Sequence, residues 1–208
     1  DAYDGMSLCG GLVFFAPVAL LVRTQAGISE TQFFLLQALL SGIIALGELP
    51  TGHLTDRMGY RRSLILAQLL LLAARGLLLA AFLLRSLPLF VAEAVVEGIS
   101  ACLSSGTASA YLYALYGESD YLPKAAHAAN FGTAGFLLST AAYALLYRYF
   151  GLTGLLAATV LAGLPEIASL FASSLLAALG IGWCFALCGG LLLLGALGYM
   201  LSSRKITG

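Results

Sequence analysis

Stretches of about 20 apolar residues, each able to cross a ~30 Å hydrocarbon core at 1.5 Å per residue, follow one another along this chain with only short polar joints between them. They run from Met6 to Val22, Thr31 to Pro50, Ser63 to Leu84, Leu87 to Tyr116, Ala125 to Tyr147, Leu152 to Leu176 and Gly180 to Ser203. Lipid offers no partner to backbone N–H and C=O groups, so a spanning segment must satisfy them internally; the stretches lack the two-residue alternation of barrel strands and read as helices. Apolar residues make up 61% and charged residues 10% of the chain, far below the roughly 25% charge of soluble domains. The fold class expected is all-α, a polytopic transmembrane helical bundle, with the lipid bilayer as its first partner.

Ten basic and ten acidic residues cancel, and no basic block suggests nucleic acid as a partner. Cys9, Cys102, Cys184 and Cys188 lie inside apolar runs without the short Cys/His spacing of a zinc site, so buried thiols are expected rather than a metal centre or a disulfide framework. Glycine is abundant, with 24 residues, and spacings such as Gly132 to Gly135 and Ser100 to Ser104 suit close approach of helix backbones in lipid. No hydrolase elbow, zinc-protease or nucleotide-loop pattern occurs, so neither catalysis nor a cofactor is expected. Residue 1 is Asp, and no charged leader with a small-residue cleavage site precedes the first run; the chain is read as lacking its true start.

The joint between the second and third runs carries Gly52, Asp56, Arg57, Gly59, Arg61 and Arg62. Arginines just outside an apolar run mark the cytoplasmic side, the two glycines permit a tight turn between antiparallel spans, and Asp56 offers a carboxylate for charge-assisted pairing. The string resembles the loop motif G-x-x-x-D-R-x-G-x-R-R of the major facilitator superfamily, at the place where that family has it, between helices two and three. The resemblance implies a conformational latch released during alternating access; a plain topological anchor is the alternative. Tyr60 stands where many members carry a further basic residue. The family's arginine motif of helix four has no counterpart around Ala92, Glu93 and Glu97, and its antiporter motif of helix five is reduced to Gly132 and Gly135, so the drug/proton antiporter branch is not implied.

Two further segments, Gly47 to Gly52 and Ser105 to Tyr113, are similar to stretches of bacterial facilitators of broad or unassigned substrate range. The resemblance covers about residues 6–176, a six-helix N-terminal half, and leaves 177–208 as an additional transmembrane helix with a short basic tail. It implies residence in a bacterial inner (plasma) membrane with the 51–62 loop cytoplasmic. Facilitator halves consist of two inverted three-helix units, and Arg148 to Gly151 sits between runs five and six much as Arg57 to Gly59 sits between runs two and three.

Charges within the runs are the remaining candidates. Arg75 lies about 18 Å into the third run, and Glu93 and Glu97 about 8 and 14 Å into the fourth from the opposite side, so an ion pair across that hairpin is sterically open. The two glutamates share a helix face at i, i+4. Charged groups at such depth usually face a cavity or a partner; adjacent carboxyls there suit proton coupling, and a structural Arg/Glu clamp is the equal alternative. Glu48 is placed with the motif's network, and His127 as an interfacial cap. Seven crossings put Arg57, Arg61, Arg62 and Lys124 on one side against Arg23, Arg85, Arg148, Arg204 and Lys205 on the other, against the positive-inside tendency. An even number of crossings removes the conflict, which leaves the run containing Pro165 and Glu166, and the last run, open to question.

The function expected is secondary active transport of a small organic solute by alternating access, with proton coupling left open. A second bundle, from a homodimer or from a missing C-terminal half, would complete the site. The rival expectation is a non-transporting half-facilitator serving as an assembly or receptor subunit, or a truncated fragment.

Overall fold

The computed structural model describes residues 2–171, and all regular structure among them is helical. The elements are α1 (Ala2–Gly10), a single 3-10 turn (Ala16–Val18), α2 (Ala19–Gln25), α3 (Glu30–Met58), α4 (Tyr60–Leu84) and α5 (Leu87–Phe171). Three stretches are long and apolar enough to cross a membrane: Glu30–Glu48, Tyr60–Leu84 and Leu87–Ile167. The expected last run, Gly180 to Ser203, lies outside the described residues.

The first expected span is not one helix. Gly10 and Gly11 end α1, Pro17 lacks an N–H to carry a helical ladder, and the chain between them folds into tight turns, with the Leu12 and Val13 N–H groups donating to Cys9 and Gly11 carbonyls at 3.0 and 2.8 Å. Apolar content alone did not reveal this interruption.

In α3, Ser29 and Gln32 cap the N-terminus reciprocally, side chain to backbone, at 2.9 and 3.2 Å, a capping box that satisfies two otherwise orphan donors. The helix then runs through Pro50 to Met58, so the expected loop from Thr51 to Arg62 is corrected: nearly all of it is helix. Pro50 removes only the N–H that would reach the Leu46 carbonyl, and the neighbouring Thr51 hydroxyl donates to the Gly47 carbonyl at 2.7 Å. The whole chain reversal into α4 falls on Gly59, at φ +83°, ψ +147°, a conformation that an L side chain resists. The next reversal uses Arg85, in the left-handed region at φ 50°, and Pro88 sits in the first turn of α5, where its missing N–H breaks no bond.

Within α5, Gly117 and Gly151 have φ of +73° and +63°. A right-handed helix holds φ near −63°, so the two glycines divide the run into 87–116, 118–150 and 152–171. Both breaks fall in expected joints, although the rest of the joint from Glu118 to Lys124 is helical, as is the chain through Pro165 to Phe171.

Two compact units emerge, one of Val18–Phe131 and one combining the chain up to Pro17 with that from Gly132 onward. The first is built on α2, α3, α4 and the start of α5, with Val22, Leu64, Ala67, Leu78, Phe90 and Leu103 buried. In the second, α1 lies against the 132–136 backbone. A Cβ on Gly11 would collide with the Gly132 carbonyl, and one on Gly135 with the Leu8 carbonyl, which gives the Gly132/Gly135 spacing the close-packing role expected of it. Cys9 is buried here and disulfide-bonded, whereas Cys102 is a free buried thiol. The expectation of a thiol therefore fails for Cys9.

Candidate functional site: a polar cleft between two parallel helices

Because α4 returns the chain, α3 and the 87–116 segment of α5 run parallel, and small residues let them meet closely. A Cβ on Gly98 would stand 2.8 Å from the Ile43 side chain, and one on Gly47 would stand 2.6 Å from the Cys102 sulfur. The Thr51 hydroxyl reaches the Cys102 carbonyl at 3.4 Å, and the Thr55 and Thr107 hydroxyls share a buried hydrogen bond of 2.8 Å. On α3 the contributing positions recur every four residues, the spacing of one helix face. A second tie joins α5 to α4, where the Ser100 hydroxyl donates to the Ala67 carbonyl at 2.8 Å.

Toward the Gly59 turn the seam opens into a cleft of about 450 Å³. Glu48, Gly52 and Asp56 line it from α3, Tyr60 closes the turn end, and Ser105 and Thr107 line it from α5. Glu48 and Asp56 are two turns apart and exposed, so the cleft presents carboxylates at two levels with hydroxyls between them. Chemically this suits a polar or cationic solute group. A second, more open groove of about 430 Å³ lies on the other side of the turn and contains Gly59, Arg61, Arg62 and Tyr111, sharing Tyr60 with the cleft.

The motif residues are thus split. Gly52 and Asp56 face the cleft, Gly59 makes the turn, Arg61 and Arg62 belong to the groove, and Arg57 is exposed in the last turn of α3, where a cation complements the helix dipole.

At the opposite end of the same unit the Arg23 guanidinium lies 3.2 and 3.4 Å from the two Glu93 carboxylate oxygens. Both side chains are almost wholly buried, at 4% and 3% exposure. The Phe33 and Phe90 rings stand 5.5 and 5.9 Å from the guanidinium carbon, close enough for cation–π attraction. Arg23 also donates to the Ala19 carbonyl at 3.3 Å, while its Nε has no hydrogen-bond partner. Glu97, one turn beyond Glu93, adjoins it.

Glu93 pairs with Arg23, a partner that the sequence reading, which left an ion pair with Arg75 open, did not name. Arg23 had been assigned to an aqueous joint, but α2 packs on α3 and α4 and carries it to the first turns of α5. Arg75 is buried on α4. His127 packs on the Phe131 ring at 5.0 Å. Besides Arg23, sequence reasoning missed the Thr55–Thr107 bond and the part played by Cys102. The only sequence signal for the seam was the resemblance of the Ser105 to Tyr113 segment, which carries Thr107. Among the described residues no group of three His, Cys, Asp or Glu side chains could hold a metal ion. Comparison with known proteins finds no matching family model, no similar curated protein and no similar solved structure.

Proposed function

We propose that the chain is one bundle of a secondary active transporter of the major facilitator type, moving a small organic solute by alternating access with a second bundle, without catalysis and without a cofactor. The observation that carries this reading is the cleft, in which Gly52 and Asp56 of the motif meet Ser105 and Thr107 of the other resembling segment across two parallel helices. In this reading α3, α4 and the three segments of α5 are spanning helices of a six-helix half, and the interrupted α1 and α2 stretch stands where its first helix would. The Gly59 turn is cytoplasmic and the membrane a bacterial plasma membrane. Asp56, exposed at the end of α3, is the latch carboxylate. Protons are the coupling ion that the adjoining Glu93 and Glu97 carboxyls favour.

One bundle supplies one wall of a central site, so a second copy or a C-terminal half supplies the other. The alternative, a non-transporting module, draws on the dry Arg23–Glu93 pair, which suits a static scaffold equally well. Proteoliposome uptake of a panel of labelled sugars, amino acids, organic anions and amines separates the two. Accumulation that slows sharply in a folded Asp56→Asn variant supports transport; full rate in both Asp56→Asn and Arg57→Ala reduces the motif to an anchor.

A further inference from the structure

The floor of the cleft holds a hydroxyl proton that the protein does not use. Thr55 and Thr107 both line the cleft, at 5% and 2% exposure, and share the 2.8 Å bond in which either oxygen is the donor. A hydroxyl carries one proton and two lone pairs, so whichever threonine accepts keeps its own proton. Among the described residues neither hydroxyl has another partner. The neighbouring hydroxyls differ: Thr51 donates to the Gly47 carbonyl at 2.7 Å and Ser105 to the Cys102 carbonyl at 3.2 Å, each within its own helix. A buried donor without an acceptor is unfavourable, and this one lies in the wall of a cavity. A ligand there is favoured if it presents an acceptor oxygen.

The charge of the cleft asks for something else in the same ligand. Glu48 and Asp56 line it and, among the described residues, no Lys, Arg or His does; neither carboxylate is in an ion pair there. Eight residues of helix separate them, about 12 Å along the axis, with Thr51 and Thr55 between. A plain cation would match the carboxylates and leave the spare proton without an acceptor. A neutral polyol would do the reverse. A solute that bears both an ammonium and hydroxyls matches both, and a cleft of about 450 Å³ falls within the range of roughly 300–1,000 Å³ of small-molecule sites.

We propose that the cleft binds a hydroxylated amine of the amino-sugar type, with its ammonium on an α3 carboxylate and a hydroxyl oxygen accepting from the Thr55–Thr107 pair. The proposal rests on the cleft being the solute site of the transporter and names the class of solute.

The test is equilibrium dialysis of the full chain in neutral detergent with labelled glucosamine, competed by N-acetylglucosamine, which lacks the ammonium, and by cyclohexylamine, which lacks the hydroxyls. Each competitor should need about tenfold higher concentration than unlabelled glucosamine, the scale of one hydrogen bond to a charged group. Glu48→Gln/Asp56→Asn, which keeps the side-chain sizes, should bind glucosamine no better than N-acetylglucosamine. Thr55→Val/Thr107→Val should still bind amines, with glucosamine and cyclohexylamine now equal, and Glu30→Gln at the far end of α3 should change nothing. The competitor series needs no variant, so a variant that fails to fold leaves the test intact. Equal competition by either analogue, unchanged binding by the double carboxamide variant, or no binding of glucosamine would overturn the proposal. Glucosamine that is bound but not accumulated in proteoliposomes keeps the site and removes transport; accumulation of another solute without glucosamine binding keeps transport and removes this solute class.

Discussion

The Thr55 and Thr107 hydroxyls, 52 residues apart in sequence and on different helices, are hydrogen-bonded at 2.8 Å in the buried floor of the cleft. Replacing one of them by valine strands the other hydroxyl without a partner, which costs about 1–3 kcal/mol. Removing both costs less, because neither polar group remains. Thermal melting in detergent should therefore show each single variant below the Thr55→Val/Thr107→Val double variant; additive losses would mean that the bond does not couple the two helices.

The Arg23–Glu93 pair makes a sharper version of the same prediction. Truncating one partner of a buried pair leaves an uncompensated charge and costs about 3–5 kcal/mol. Arg23→Met should lower the melting temperature strongly, and Arg23→Met/Glu93→Met should recover most of the loss. A silent Arg23→Met would mean that the pair does not hold α2 to α5.

Glycine positions separate packing from propensity. Gly135→Ala should destabilise by about 1–3 kcal/mol, the cost of forcing extra volume into a packed site, since its Cβ would collide with the Leu8 carbonyl. Gly42→Ala in α3 meets nothing within 4 Å, and gains up to about 1 kcal/mol of helix propensity. A melting series with the opposite order would reject the close approach of α1 to the 132–136 backbone.

The helices α3 and α4 were legible because 20 apolar residues at a stretch leave few alternatives in lipid. The extent of α3 was not. Pro50 followed by Thr51, Gly52 and His53 reads as the end of a helix, yet one missing N–H is a local loss, and the helix continues until Gly59 supplies the one backbone conformation that reverses it. Arg23 was misplaced for a different reason: its partner lies 70 residues away, and nothing near it in sequence signals burial. Of the cleft, Gly52 and Asp56 were singled out by the motif, but their shared helix face with Glu48 was hidden by the loop expected after Pro50. The opposing wall, Ser105 and Thr107, shows no periodic or charge signal; resemblance marked the segment, and the parallel register of α3 and α5 gives it its place.

If Asp56 acts as a latch, its loss is kinetic and not structural. Asp56→Asn keeps the size of the exposed side chain, so expression and melting should change by less than about 0.5 kcal/mol, as for most surface substitutions, while the transport rate drops severalfold or more. A variant that transports at full rate, or one that fails to fold, would remove the latch role.

The central claim is that this bundle works against a second one. Crosslinking or mass photometry in mild detergent, run on the same sample as the proteoliposome uptake assay, tests it most directly. The account predicts solute accumulation by assemblies that contain two bundles and none by the isolated monomer, because one bundle supplies only one wall of a central site. A strictly monomeric sample that accumulates solute against a gradient would contradict it.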